Sequence, residues 1–219
     1  RGLGDVYKRQ ERQLLTAVLS GSRKALNWCD DKGNVDFYDM KGIVEGLLEA
    51  MQVSDYTMTR SQQPYLHPGK SCDIVVNGEV IGSFGEVHPV VQENFELDQV
   101  TYVLEMAVEP LVASATAVPQ YKHLPKFPSM SRDIAVVVPA EVTNAELEQV
   151  IRAHAGELLQ GVRVFDIYTG KQVAAGCKSM AFNLTYQAAD RTLTDAEVDA
   201  SMKKVIAEVA EAYKAKLRD

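Results

Sequence analysis

The sequence predicts an α+β protein of two domains, and three observations carry that reading. After residue 132, strand, helix and strand follow one another twice, and each helix opens on Thr-x-x-Glu, at Thr143–Glu146 and Thr194–Glu197. Such a capping box lets each side chain satisfy a backbone amide that the first helical turn leaves unpaired. Before residue 112, alternating strand patterns flank Asn77-Gly78, a pair suited to the two positive φ angles of a tight hairpin. Residues 112–125 between the halves carry little charge and two prolines, as a connector does. With 219 residues and 46% hydrophobic content, the chain can bury two modest cores.

The domains are expected at residues 11–111 and 121–219, with residues 112–120 connecting them and the boundary near Pro119. Residues 1–10 lack periodicity and do not begin with Met. We read them as a disordered or non-native head on a fragment that starts inside a larger protein.

In the first domain, Leu14, Leu15, Val18 and Leu19 predict a short helix within residues 11–25, stopped by Gly21. Asp36 is the N-cap of a firmer helix whose Phe37, Met40, Ile43, Val44, Leu47, Leu48 and Met51 recur at helical spacing. Gly42 and Gly46, four apart on its flank, either admit another element closely or are simply two weak helical positions. Strands at 71–76 and 79–87 form the hairpin, and Gly82 and Gly85 suggest a bulge or a close backbone approach. Residues 89–95 predict a helical turn or two led by proline. Residues 101–108 then alternate Tyr102, Leu104, Met106 and Val108 against Thr101, Val103, Glu105 and Ala107.

The second domain reads more clearly. A strand at 133–138 ends at Pro139, and the helix opened by Thr143 runs through Leu147, Val150, Ile151 and His154 to Gly156. A strand at 161–170, bounded by glycine at both ends, precedes another at 178–187. The helix opened by Thr194 carries Val198, Met202, Val205, Ile206, Val209 and Tyr213 on one side, and residues 214–219 suit a short final strand. This is the split βαβ, or ferredoxin-like, βαββαβ plan.

Both helices of that plan cover one sheet face and leave the other open. Side-chain alternation sorts the residues. Ile134, Val136 and Val138 go under the helices, leaving Asp133, Ala135 and Val137 outside. On the next strand Phe165 and Ile167 point inward, while Asp166 and Tyr168 point outward with Val162 and Val164 behind them. On the third, Met180, Phe182, Leu184 and Tyr186 go in, and Ser179, Ala181, Asn183 and Thr185 face out. The open face is small and polar with one aromatic. It can admit unstacked bases, with Tyr168 as a stacking platform, Asp166 and Ser179 as hydrogen-bonding groups and Ala135 as room for a base. An ordinary solvated face fits the same pattern.

Charge constrains any such ligand. Residues 1–120 hold 10 Lys and Arg against 17 Asp and Glu, a balance of −7, and residues 121–219 hold 13 of each. Non-specific nucleic-acid binding rests on phosphate neutralisation, so RNA contact must be local and shape-fitted. Cys29, Cys72 and Cys177 form no C-x-x-C pair and read as reduced thiols of a cytosolic protein. No apolar run is long enough to span a bilayer as a helix. Residues 61–100 hold no arginine, and Lys70 is their only strong cation, so nothing there would neutralise a triphosphate. His67, His88, His123 and His154 fit turn or surface positions.

Several motifs resemble a known family. Lys126-Phe127-Pro128-Ser129-Met130-Ser131-Arg132-Asp133-Ile134-Ala135, Phe165-Asp166-Ile167-Tyr168, Lys178-Ser179-Met180-Ala181-Phe182 and Asp190-Arg191-Thr192-Leu193-Thr194-Asp195 resemble the ferredoxin-fold anticodon-binding domain of bacterial phenylalanyl-tRNA synthetase β subunits. Asp36-Phe37-Tyr38-Asp39-Met40-Lys41-Gly42, Leu66-His67-Pro68-Gly69-Lys70-Ser71 and Gly82-Ser83-Phe84-Gly85-Glu86-Val87-His88-Pro89 are similar to that subunit's catalytic-like domain. The resemblance implies a partial, catalytically silent class II synthetase-like antiparallel sheet before the anticodon-binding domain. It implies anticodon contacts at Ala135, Asp166, Tyr168 and Ser179, with no catalytic and no metal-binding residues in this chain. The implied partners are tRNA(Phe), a catalytic α subunit and a second β subunit in a cytoplasmic α2β2 enzyme. ATP and Mg2+ would be used by that holoenzyme and not bound by this fragment. A small-molecule-sensing ferredoxin-like regulatory domain on an unrelated α+β scaffold is the competing expectation.

Overall fold

The structure, a computed structural model, describes residues 11–24, 28, 33–116, 118, 121, 124–170 and 173–217. The chain divides into two compact units, Arg1–Tyr121 and Lys122–Asp219. Pro119, His123 and Cys29 lie outside the described residues, as do residues 1–10.

The first unit runs β1 (Leu14–Ser20), α1 (Phe37–Ala50), β2 (Tyr56–Arg60), β3 (Leu66–Val76), β4 (Glu79–Val87), α2 (Pro89–Asn94), β5 (Thr101–Ala107) and α3 (Val108–Ser114). Its strands form one antiparallel sheet in the order β1-β5-β4-β3-β2. Met40, Val44 and Leu48, one stripe of α1, are buried on Ile74, Phe84, Leu104 and Met106 of the sheet. Asp36 caps α1 by accepting from the amides of Tyr38 and Asp39, while the Asp39 carboxylate accepts from the Asp36 amide.

Residues 14–20 are a strand and not the expected helix. Their leucines fit one helical stripe, but β5 offers a seven-residue ladder from Leu14↔Ala107 to Ser20↔Thr101. Pairing places Ala17 and Leu19 against the core at alternate positions, which a helix could not do. Gly21, at φ +83°, ends the strand. The short strand β2 was not expected; Tyr56 and Met58 anchor it on the core between polar neighbours. Nothing lies within 4 Å of where a side chain would begin at Gly42 or Gly46, so these are two weak helical positions and not a packing notch. The close approach falls at Gly82 and Gly85 instead. A Cβ at Gly82 would sit 2.7 Å from the Glu105 carbonyl oxygen, and one at Gly85 2.5 Å from that of Lys70.

The second unit runs β6 (Met130–Pro139), α4 (Asn144–Ala155), β7 (Leu159–Tyr168), β8 (Cys177–Tyr186), α5 (Asp195–Tyr213) and β9 (Lys216–Leu217). The sheet is antiparallel in the order β7-β8-β6-β9, the ferredoxin-like plan. Both capping boxes form, at Thr143–Glu146 and Thr194–Glu197. Leu147 and Ile151 of α4 and Val198, Val205 and Val209 of α5 bury Ile134, Val136, Val138, Met180, Phe182 and Leu184 on one sheet face.

Strand β7 departs from simple alternation. Against β8 it pairs Val162↔Leu184 and Val164↔Phe182, then Asp166↔Ala181, Ile167↔Met180 and Tyr168↔Ser179. Phe165 is the extra residue of a bulge on an edge strand, where bulges are common. Val162 and Val164 therefore pack on the core, and Phe165, expected inside, is 51% exposed. Ile167 takes the inward register opposite Met180 but lies 52% exposed near the strand end. After the bulge, Asp166 and Tyr168 take the outward register.

Candidate nucleic-acid interface

Register between β6, β8 and β7 builds the open face of the second unit in four rows. They are Ser131–Thr185–Gly161, Asp133–Asn183–Arg163, Ala135–Ala181–Asp166 and Val137–Ser179–Tyr168. The four residues expected to contact a ligand occupy the last two rows. Asp166 is exposed, Ala135 and Tyr168 are half-buried, and Ser179 is only 3% exposed. Ser179 thus belongs to this face by register, yet its neighbours already shield it from water. Alternation reports the face of a strand and not the height of the side chains around it.

Tyr168 is placed by a backbone feature. A methyl group at Gly170 would overlap the Tyr168 Oη and Cζ, so the phenol lies back over Gly170 and needs the absence of a side chain there. Ala181 and Ala135, across from Asp166, are too small to fill the third row. A planar ring can therefore approach the sheet backbone there, with Tyr168 beside it and an acceptor-only carboxylate within reach.

The second row is a polar network. Asn183 Nδ2 donates to Asp133 Oδ1 at 2.6 Å, and Asn183 Oδ1 accepts from Ser131 Oγ at 3.1 Å and from Thr185 Oγ1 at 3.5 Å. Arg163 stands opposite Asn183 and is exposed. Uninterrupted alternation from Phe165 assigns Arg163 to the inward side, and the bulge at Phe165 is what leaves it on the open face.

In the first unit, Lys70 Nζ lies 2.6 Å from Glu86 Oε2. The Tyr102 hydroxyl donates to the same oxygen at 3.2 Å. Burial, then the nearby Glu86 carboxylate, pushes the Tyr102 phenol up to about 12, so it stays protonated. The one strong cation of residues 61–100 is thereby engaged by a carboxylate. His67 Nδ1 accepts from the Gly69 amide, and His88 Nδ1 accepts from the Val90 amide at the start of α2. Among the described residues no three His, Cys, Asp or Glu side chains converge as metal ligands, and no helix is long and apolar enough to cross a membrane.

Residues 125–218 match the family described as "Ferredoxin-fold anticodon binding domain", and residues 3–108 match "Phenylalanyl tRNA synthetase beta chain CLM domain". The second unit is thus of the anticodon-binding class, joined to a synthetase β-chain domain. Similar proteins include the phenylalanine–tRNA ligase β subunits of Shouchella clausii, 41% identical over 95% of this chain and 26% of the relative, and of Symbiobacterium thermophilum, 41% identical over 95% and 23%. That of Bacillus subtilis is 39% identical over 95% of this chain and 26% of the relative. The chain belongs to the phenylalanine–tRNA ligase β-subunit family and spans about a quarter of the length of these curated relatives.

Proposed function

We propose that this chain forms part of the β subunit of a cytoplasmic phenylalanine–tRNA ligase and that the open face of its second unit binds the anticodon of tRNA(Phe). In this reading one base stacks on Tyr168, Asp166 accepts from an amino or imino group of a base, Ala135 leaves room for a base plane, and Ser179 contributes its hydroxyl once its cover moves aside. The observation that carries the reading is the adjacency of the two rows holding these four residues, which follows from the register of β6, β8 and β7. A stacking ring beside small side chains on an open sheet is a surface that favours unstacked bases over duplex RNA.

The first unit serves as scaffold against a catalytic α subunit in an α2β2 assembly, and ATP and Mg2+ act on that partner. The Lys70–Glu86 pair supports this division, since a carboxylate beside the one strong cation of residues 61–100 opposes a bound polyphosphate. No observation favours the regulatory-domain alternative, and the β-subunit similarity runs through both units.

The test is Tyr168→Ala in the complete ligase. Loss of one stacked base weakens tRNA(Phe) binding by about 1–3 kcal/mol. Binding equal to wild type would refute the stacking role.

A further inference from the structure

We infer that the RNA-contacting face extends beyond the rows of Tyr168 and Asp166, and that Arg163 meets a backbone phosphate of the same strand. This rests on the anticodon-binding reading above. It adds a residue and a ligand group to it, namely a guanidinium and a phosphodiester.

The other described arginines of the second unit are all paired with carboxylates. Arg132 pairs with Asp195 and Asp199, Arg152 with Glu148, and Arg191 with Glu197 and Asp190. Arg163 has no carboxylate partner among the described residues, although acids stand near it on the same face. Asp133 shares its row, but Asn183 occupies the column between them and already donates to that carboxylate. Asp166 belongs to the neighbouring row, beyond the Phe165 bulge. The network of Ser131, Thr185, Asn183 and Asp133 fills the middle of the face with hydrogen bonds made among its own members. It leaves the Arg163 guanidinium available to an incoming anion, with the exposed Lys216 of β9, opposite Val137, as a second cation at the other edge of this face.

Geometry puts that cation at a useful distance. Ser179 and Asn183, the partners of Tyr168 and Arg163, are four residues apart on β8, so the two rows lie roughly 13 Å apart. At about 3.4 Å per stacked nucleotide, a strand covers that span in about four steps, and in fewer when its bases are splayed. A base stacked on Tyr168 therefore leaves a phosphate of the same loop within reach of Arg163. In a unit whose fixed charges balance, one unpaired guanidinium supplies the local, shape-fitted contact that net charge cannot. The planar fork also suits a phosphodiester better than an ammonium would.

The experiment measures tRNA(Phe) affinity of the complete ligase against salt concentration for wild type, Arg163→Gln, Arg163→Lys and Tyr168→Ala. Arg152→Gln serves as a control that removes the same charge from α4. Circular dichroism of each variant confirms folding. The expected result is that Arg163→Gln weakens binding roughly two- to fivefold near physiological salt, the scale of one exposed charge contact. It also lowers the slope of log affinity against log salt by about 0.7, the value for one phosphate of a single strand. Arg163→Lys keeps that slope, and Arg152→Gln does not alter it. An unchanged slope for Arg163→Gln overturns the inference. If Tyr168→Ala still weakens binding in that case, the anticodon reading survives; if it does not, both fail.

Discussion

Alanine substitutions at Val164 and Phe165 distinguish a bulged β7 from a straight one. In a straight strand Phe165 lies beneath the helices, and truncating a buried phenylalanine costs roughly 3–5 kcal/mol. Val164 would then share the open face with Asp166, and its truncation would cost almost nothing. The structure reverses this order. Phe165 is 51% exposed, so only about half of its transfer free energy is at stake, and the expected loss falls to about 1 kcal/mol. Val164 packs on the core opposite Phe182. Removing its two methyl groups, at about 0.8 kcal/mol per fully buried carbon and less for a half-buried one, costs about 1–1.5 kcal/mol. Aspartate sharpens the contrast. Val164→Asp brings a carboxylate against the core and costs roughly 2–4 kcal/mol, whereas Phe165→Asp stays at a wet sheet edge and costs about 1 kcal/mol or less. Urea unfolding of the chain, followed by circular dichroism and fitted with one transition per unit, reads these differences directly. A Phe165→Ala loss of 3 kcal/mol or more beside a neutral Val164→Ala would mean that the strand is straight and that the register argument for the open face is wrong.

Two further outcomes follow from the same unit. Gly170→Ala places a methyl group where the Tyr168 phenol lies, and the ring, being the end of a side chain, moves before the backbone does. The expected effect is weaker tRNA(Phe) binding by up to the worth of the stack, about 1–3 kcal/mol, with thermal stability nearly unchanged; wild-type affinity would show that the resting position of the ring does not matter. The Glu197 carboxylate accepts from the Thr194 amide at 3.0 Å and pairs with Arg191, which together hold it down to about 2 from an ordinary value of 4.5. Because its folded value is depressed, the stability it adds is complete above pH 4.5 and is lost as pH falls toward 2. Glu197→Gln should therefore flatten the loss of stability across that window in unfolding midpoints measured against pH, and an unaltered pH profile would contradict the assignment.

Much of the second unit is legible without coordinates because its signals are local. A capping box is written in four residues, and the alternation of β6 and β8 runs without interruption from Ile134 to Val138 and from Met180 to Tyr186, each inward residue being buried. Residues 14–20 suit a helical stripe as well as a strand by their leucines, and only the presence of β5 makes the strand the better solution. Alternation puts Ser179 on the open face, as the register does, but its burial depends on the side chains that flank it.

The strand holding Asp166 and Tyr168 divides the two kinds of information most clearly. By itself the sequence determined that this segment is a strand, that it sits in a βαββαβ unit, and that its acid and phenol share a face. Tertiary structure decided which residues accompany them. Val162 and Val164 turn to the core, Phe165 is displaced to the edge, and Arg163 joins the open face opposite Asn183. The physical reason is that a bulge is a property of two strands. One extra residue on β7 is defined only against the unbroken count on β8, so no pattern within β7 alone can announce it.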